Sequence, residues 1–177
     1  MDINYVPKYN YNDYKSWEGR WELISGFPYA MSPLPSINHQ EVSGKILAQL
    51  LLLLENCEKC KPLLPVDWKI DEETLLQPDN SVVCEPVGGN YLTKPPILIF
   101  EVLSPSTAFK DKNIKYKIYE SQGVKYYVIV DIEKKMAGCY ELKDNQYELM
   151  AEARDHVIHF DLNHCQIEFP FSSIWDR

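Results

Sequence analysis

The chain is predicted to be a mixed α/β domain, on three observations. Val42, Ile46, Ala48, Leu50, Leu53 and Leu54 form a helical apolar stripe. Ile97 to Leu103 is apolar on both faces, the pattern of an interior strand in a covered sheet. A lysine-rich helical pattern over 109–121 then leads into a second interior strand, Tyr126 to Val130. Helices before and between doubly buried strands give layers of helix on sheet. A length of 177 residues suits one domain. A domain of that size buries roughly two-thirds of its extended surface and needs no staples.

The elements follow in order. Residues 1–19 are polar and tyrosine-rich and read as an arm ending in a short helix around Asn12 to Glu18. Arg20 to Ile24 and Phe27 to Met31 flank Ser25-Gly26, the signature of a hairpin with a tight turn. Pro33 and Pro35 break the chain before the first long helix. Ser36 or Asn38 can cap that helix, with Glu41 three residues after Asn38 as a capping box prefers, and it should end near Asn56. Strands are expected over Leu63 to Ile70, Asn80 to Cys84 and Ile97 to Leu103. Ser106-Thr107 opens the second helix, about Phe109 to Ser121, and Gly123 closes it. Met136 to Leu142 and Gln146 to Ala151 form another hairpin, and Val157 to Phe160 and Gln166 to Phe171 are strand-like.

The composition excludes several classes. An apolar fraction of 45% is that of a globular chain, not a disordered one. The start, Met-Asp-Ile-Asn-Tyr-Val-Pro, lacks the features of a signal peptide, and the longest apolar stretch, Leu50 to Leu54, is too short for a bilayer, so a cytoplasmic protein without a membrane partner is expected. Five cysteines, at 57, 60, 84, 139 and 165, are odd in number and scattered, which predicts reduced thiols. A net charge of −8 argues against non-specific coating of nucleic acid, but not against an enzyme with a local basic patch and a metal ion.

Three residues carry the chemistry. Glu101 sits within an interior strand on the face of Ile97 and Ile99, where a carboxylate must find a proton, a cationic partner or a metal. Asp79 follows Pro78 at the start of the preceding strand. If the two strands pair, their backbones lie roughly 5 Å apart, and the carboxylates can share one divalent ion. An all-oxygen site of that kind suits magnesium or manganese. Lys115 borders the Ile114 and Ile118 stripe of the second helix, with Asp111 and Tyr119 at four-residue spacing on either side. The alternatives are a structural salt bridge for Glu101 and an exposed Asp111–Lys115 pair. Lys110, Lys112, Lys115, Lys117 and Lys125 cluster in an otherwise acidic chain, as a phosphate-binding groove requires, with a solvated helix face as the alternative.

Pro78-Asp79, Glu101-Val102-Leu103-Ser104-Pro105-Ser106 and the spaced Asp111, Lys115, Tyr119 and Gly123-Val124 resemble the Uma-type restriction endonucleases of the PD-(D/E)XK nuclease superfamily. Trp21-Glu22-Leu23-Ile24, Gly26 and His39 look like the same family's entry hairpin and first helix. The resemblance covers about residues 20–140, leaving 1–19 as an arm and 141–177 as β additions. It implies a restriction-endonuclease-like core of order αβββαβ. Leu103 stands where the superfamily pattern has lysine, and the lysine appears on the helix, at Lys115. The resemblance implies metal-assisted hydrolysis of DNA. Asp79, Glu101 and the Val102 backbone carbonyl would hold Mg2+ or Mn2+, and Lys115 would orient water or stabilise charge. Glu22, His39, Asp111 and Tyr119 are secondary candidates, Glu22 reaching the metal through water. Lys110 and Lys112 are phosphate-binding candidates.

A homodimer is expected, because cutting both strands takes two sites. A catalytically silent interaction module of the same fold is the competing expectation. Cys57-x-x-Cys60 is half a zinc site without a second pair, and His156 and His159 fall on opposite faces of a strand, so zinc is not expected. The aromatic arm is expected to pack over the domain or a second subunit rather than stack on bases.

Overall fold

A computed structural model of the chain describes residues 6–31, 34–85 and 87–175. Its centre is a six-stranded sheet in the order β10-β9-β8-β7-β6-β3. The strands are β3 (Cys60–Leu63), β6 (Asn80–Cys84), β7 (Leu98–Val102), β8 (Tyr126–Asp131), β9 (Met136–Lys143) and β10 (Gln146–Ala153). Only the β7–β8 pair is parallel, and a helical crossover joins those two strands. A smaller sheet, β2-β1-β5-β4, is built from the expected entry hairpin, β1 (Trp21–Ile24) and β2 (Phe27–Ala30), with β4 (Trp68–Asp71) and β5 (Thr74–Leu76). The last two strands, β11 (Val157–Asp161) and β12 (Gln166–Pro170), pair only with each other.

The central sheet is covered on both faces. Leu98, Phe100 and Val102 join a core with Val42, Ile46 and Leu50 of helix α2 (Ile37–Leu53) and with Phe160 and Phe169 of the β11–β12 hairpin. On the other face Ile99, Tyr127 and Ile129 pack with Trp68 and with Tyr119 of helix α3 (Tyr116–Gln122). Each such side chain contributes about 1.5–3 kcal/mol when fully buried. The strict alternation along β7 therefore places Glu101 on the Tyr119 face. Ile97, expected on that face, packs with the α2 core instead.

The chain departs from its predicted elements where the sequence offers competing signals. Ser36 caps α2 by accepting from the His39 amide at 3.2 Å, so Asn38 lies inside the first turn. The expected strand 63–70 is two strands in different sheets, separated at Pro65. Pro62 is tolerated because β3 is an edge strand. The second helix begins as a wide π-helical segment, Lys110–Lys115, before α3, which ends at Gly123 with φ +79°. Such wide turns recur at functional sites.

The arm packs over the small sheet. Its helix α1 (Tyr11–Tyr14) leads to Trp17, whose ring meets Trp21 at 5.5 Å, and the Tyr9 amide donates to the Gly26 carbonyl. Four cysteines expected as reduced thiols are paired as Cys57–Cys165 and Cys60–Cys84, while Cys139 is free and buried. The Cys57–Cys165 pair spans 108 residues and depends on where the terminal hairpin docks, which spacing does not reveal. Among the described residues no helix is long and apolar enough to cross a membrane.

Candidate active site

Strands β6 and β7 pair antiparallel with Asn80 opposite Phe100, so Asp79 directly precedes the paired stretch and Glu101 directly follows Phe100. The Val102 amide donates to Asp79 Oδ2 at 2.8 Å, fixing that carboxylate beside the end of β7. His39, in the first turn of α2, places Nε2 3.2 Å from the same oxygen. Ser43, one turn along α2, donates its hydroxyl to Asn80 Oδ1 at 2.9 Å. The two polar residues on the buried face of α2 thus hold the start of β6.

Lys115 is the centre of the site. Its Nζ lies 2.8 Å from Glu22 Oε1, 2.9 Å from Glu101 Oε1 and 3.7 Å from Asp111 Oδ1. The Tyr119 hydroxyl donates to Glu101 Oε1 at 2.6 Å. Glu22 on β1 also accepts from Lys110 Nζ at 2.5 Å and from the Gln77 amide at 2.8 Å. The helix was expected to bury Ile114 and Ile118 with Lys115 at the border. Instead Asp111, Lys115 and Tyr119 are its buried residues, and the two isoleucines are half-buried. A polar stripe is stable there because each buried charge meets an opposite one.

The electrostatics follow from burial and pairing. Burial pushes the Glu101 carboxyl well above its ordinary range, against the pull of Lys115 and with the support of Asp111, Asp79 and Glu22. Burial raises Asp111 in the same way. Burial also acts to raise Glu22 and Asp79, but Lys115 and Lys110 bring Glu22 below its ordinary value, and the His39 hydrogen bond brings Asp79 below its own. Burial disfavours the Lys115 ammonium, yet Glu101, Glu22 and Asp111 together raise its pKa well above the usual lysine range. His39 is likewise raised against burial by Asp79 and by the Val102 backbone. The cluster thus holds Lys115 charged and retains a proton on Glu101 more readily than a solvated carboxylate would.

All seven principal and secondary candidates meet in this cluster: Asp79, Glu101, Lys115, Glu22, His39, Asp111 and Tyr119. The five lysines do not form one exposed patch. Lys110 is drawn inward to Glu22, Lys117 pairs with Glu120, and Lys125 reaches Asp161 and Asn163 near the terminal hairpin. Lys112 is exposed on the helix. The cluster is buried rather than open to solvent, against the expectation of a pocket. Glu101 and Lys115 are each 2% exposed, and the Asp79 side chain, at 13%, is the most open of the three. Glu22 and Asp111 are the reason, since they neutralise Lys115 from the sides and fill the space around it. Sequence reasoning ranked Glu22 as a remote contributor. The signal that marks it is the one used for Glu101, a carboxylate inside an apolar strand, here Trp21-Glu22-Leu23-Ile24.

By chemical kind alone, the carboxylates are donors for a hard divalent cation. Asp79 precedes β6 and Glu101 lies in β7, and among the described residues Asp79 Oδ1 and Glu101 Oε2 accept no hydrogen bond. Oxygen donors of this kind suit magnesium or manganese rather than softer ions.

A family model described as "Uma2: Putative restriction endonuclease" matches residues 11–162. A Synechocystis sp. protein described as uncharacterized is 31% identical over 122 residues, which cover 64% of this chain and 63% of that relative. A crystal structure titled as a "putative nuclease belonging to DUF820" from Anabaena variabilis superposes with a TM-score of 0.77. That superposition covers 93% of this chain and 96% of the other at 13% identity, a likeness of fold.

Proposed function

The chain belongs to the Uma2 family, and from that premise we propose that it is a metal-dependent endonuclease that hydrolyses DNA phosphodiester bonds. The observation that carries the reading is the Lys115 ammonium 2.9 Å from Glu101, on the strand whose Val102 amide donates to Asp79. In this reading Asp79, Glu101 and the Val102 backbone carbonyl hold a magnesium or manganese ion. When bound, such an ion acidifies a water molecule and neutralises charge on the phosphate. Lys115 orients the attacking water and stabilises developing negative charge. Glu22 and Tyr119 act through others, Glu22 positioning Lys115 and Tyr119 fixing the Glu101 carboxylate. His39 holds Asp79 in place. Lys112, and Lys110 once released from Glu22, meet the phosphate backbone. A homodimer in the cytoplasm would bring two such sites to one duplex.

The test is cleavage of plasmid DNA by purified protein with manganese, beside Glu101→Ala. Metal-dependent nicking by the wild type that the substitution abolishes is expected. Cleavage surviving the substitution, or absent with every divalent metal, overturns the reading.

A second reading, a catalytically silent member of the fold, is favoured by one observation: Lys110 and Lys115 are both satisfied by internal carboxylates. Calorimetric titration separates the two. Manganese binding that Asp79→Ala abolishes excludes a silent site, and no binding by the wild type supports one.

A further inference from the structure

Away from this cluster, four cysteines from four points of the sequence meet at one place. Cys57 follows α2, Cys60 begins β3, Cys84 ends β6, and Cys165 lies in the turn between β11 and β12. Cys60 stands opposite Cys84 in the β3–β6 register. The Cys57-x-x-Cys60 segment is a tight turn in which the Cys60 amide donates to the Cys57 carbonyl at 3.4 Å. The sulfurs of Cys57, Cys60 and Cys165 all lie within 4.8 Å of one another, and Cys84 is bonded to Cys60.

Two independent disulfides have no need to share a location. Three sulfurs within 4.8 Å of one another, with a fourth bonded to one of them, approach a tetrahedral thiolate site, where a metal–sulfur distance of about 2.3 Å spaces the sulfurs roughly 3.8 Å apart. The missing second pair of the Cys57-x-x-Cys60 motif is thus supplied by the fold, as Cys84 and Cys165. Cys60 is buried and the other three are half-buried against the α2 core, so the site is sheltered yet reachable. Lys59 and Lys61 flank Cys60 and are exposed, offering positive charge beside a dianionic centre.

We propose that, in the reduced chain, Cys57, Cys60, Cys84 and Cys165 form a structural zinc site. It ties the end of α2, the edge of the central sheet and the terminal hairpin together. Four thiols bind one Zn2+ and release four protons, leaving a tetrathiolate centre of charge −2. The disulfide form reaches the thiol form by taking four electrons and four protons from two equivalents of a dithiol reductant, each of which becomes a disulfide. The two disulfides join the end of α2 to the terminal hairpin and β3 to β6 separately, whereas one ion would join all of these elements at once. The proposal stands apart from the nuclease reading, since sulfur donors select a soft ion and the carboxylate cluster a hard one.

The full chain is reduced under argon and titrated with zinc and, separately, cobalt. One zinc per chain is expected. Cobalt should give the thiolate-to-metal charge-transfer band and visible absorption of tetrahedral sulfur coordination, which carboxylates do not produce. Cys57→Ser and Cys84→Ser should each weaken binding at least tenfold, and Cys139→Ser should leave it unchanged. Should the serine variants fail to fold, zinc on the reduced wild type should slow alkylation of four of its five thiols. A reduced, folded chain that gives no charge-transfer band overturns the proposal. So does binding that persists in the Cys57→Ser, Cys84→Ser double variant, or alkylation at equal rates with and without zinc.

Discussion

Lys115 Nζ lies 2.9 Å from Glu101 Oε1, and each of the two residues is 2% exposed. A lysine and a carboxylate taken this far from water are costly to bury. Desolvating both costs several kcal/mol, and only good geometry with further partners offsets it. Those partners are Glu22 from β1, Asp111 from the wide π-helical segment and Tyr119 from α3. The arrangement makes the pair sensitive to loss of either member and ties stability to the proposed chemistry.

Lys115→Met should destabilise the fold by about 3–5 kcal/mol, because it leaves Glu101 buried without its cation and Glu22 with Lys110 alone. Urea denaturation checks this. Glu101→Gln should cost less, since it keeps an acceptor for Tyr119 and removes a charge that burial already disfavours. Equal stability of Lys115→Met and wild type contradicts the network.

If the protein cleaves DNA, Lys115→Ala should lower kcat by about 10²-fold or more, the scale of losing a preorganised charge stabiliser. Tyr119→Phe, which removes only the hydrogen bond to Glu101, should lower it by a smaller factor. Initial rates of plasmid nicking at saturating manganese give both numbers.

Glu22 sets a pH dependence of stability. Lys115 and Lys110 hold its folded pKa below the unfolded value near 4.5. Its contribution is therefore fully present above that unfolded value and is lost as pH falls through the folded one. In Glu22→Gln this part of the acid transition should vanish, and stability should already be lower at neutral pH. Chemical denaturation of both proteins from pH 7 to pH 3 gives the comparison, and parallel curves contradict it.

Manganese should stabilise the chain by mass action, about 2.7 kcal/mol when free metal is a hundredfold above its Kd. Chelation should reverse the shift, and Asp79→Asn should abolish it. A thermal melt with and without metal reads the effect.

Burial pushes the Cys139 thiol up to about 12. In the native protein at pH 8 it should therefore resist a thiol reagent, and it should react once the chain is unfolded. Rapid labelling of the native chain contradicts its place in the core.

Much of this was legible in the sequence. Periodicity found α2, β7, β8 and the hairpins, and a carboxylate inside an apolar strand marked Glu101. The apolar Ile114 and Ile118 misled, because they suggested that the helix buries a hydrophobic face. A buried polar stripe has no periodicity signal of its own, and only the charges on β1 and β7 make it stable. Glu22 carried the same signal as Glu101, but its partner lies 93 residues away at Lys115, across another sheet. The inward turn of Lys110 follows from that same contact. The Cys84 and Cys165 partners were hidden for a similar reason: sequence spacing does not tell where a terminal hairpin docks.

The central claim is that two carboxylates hold a metal ion beside Lys115. Anomalous diffraction from crystals soaked in manganese tests it most directly. The account predicts one strong peak between Asp79 and Glu101, at about 2.0–2.2 Å from a carboxylate oxygen of each. Well-ordered crystals with both side chains resolved and no peak there, or with the metal bound elsewhere, would contradict it.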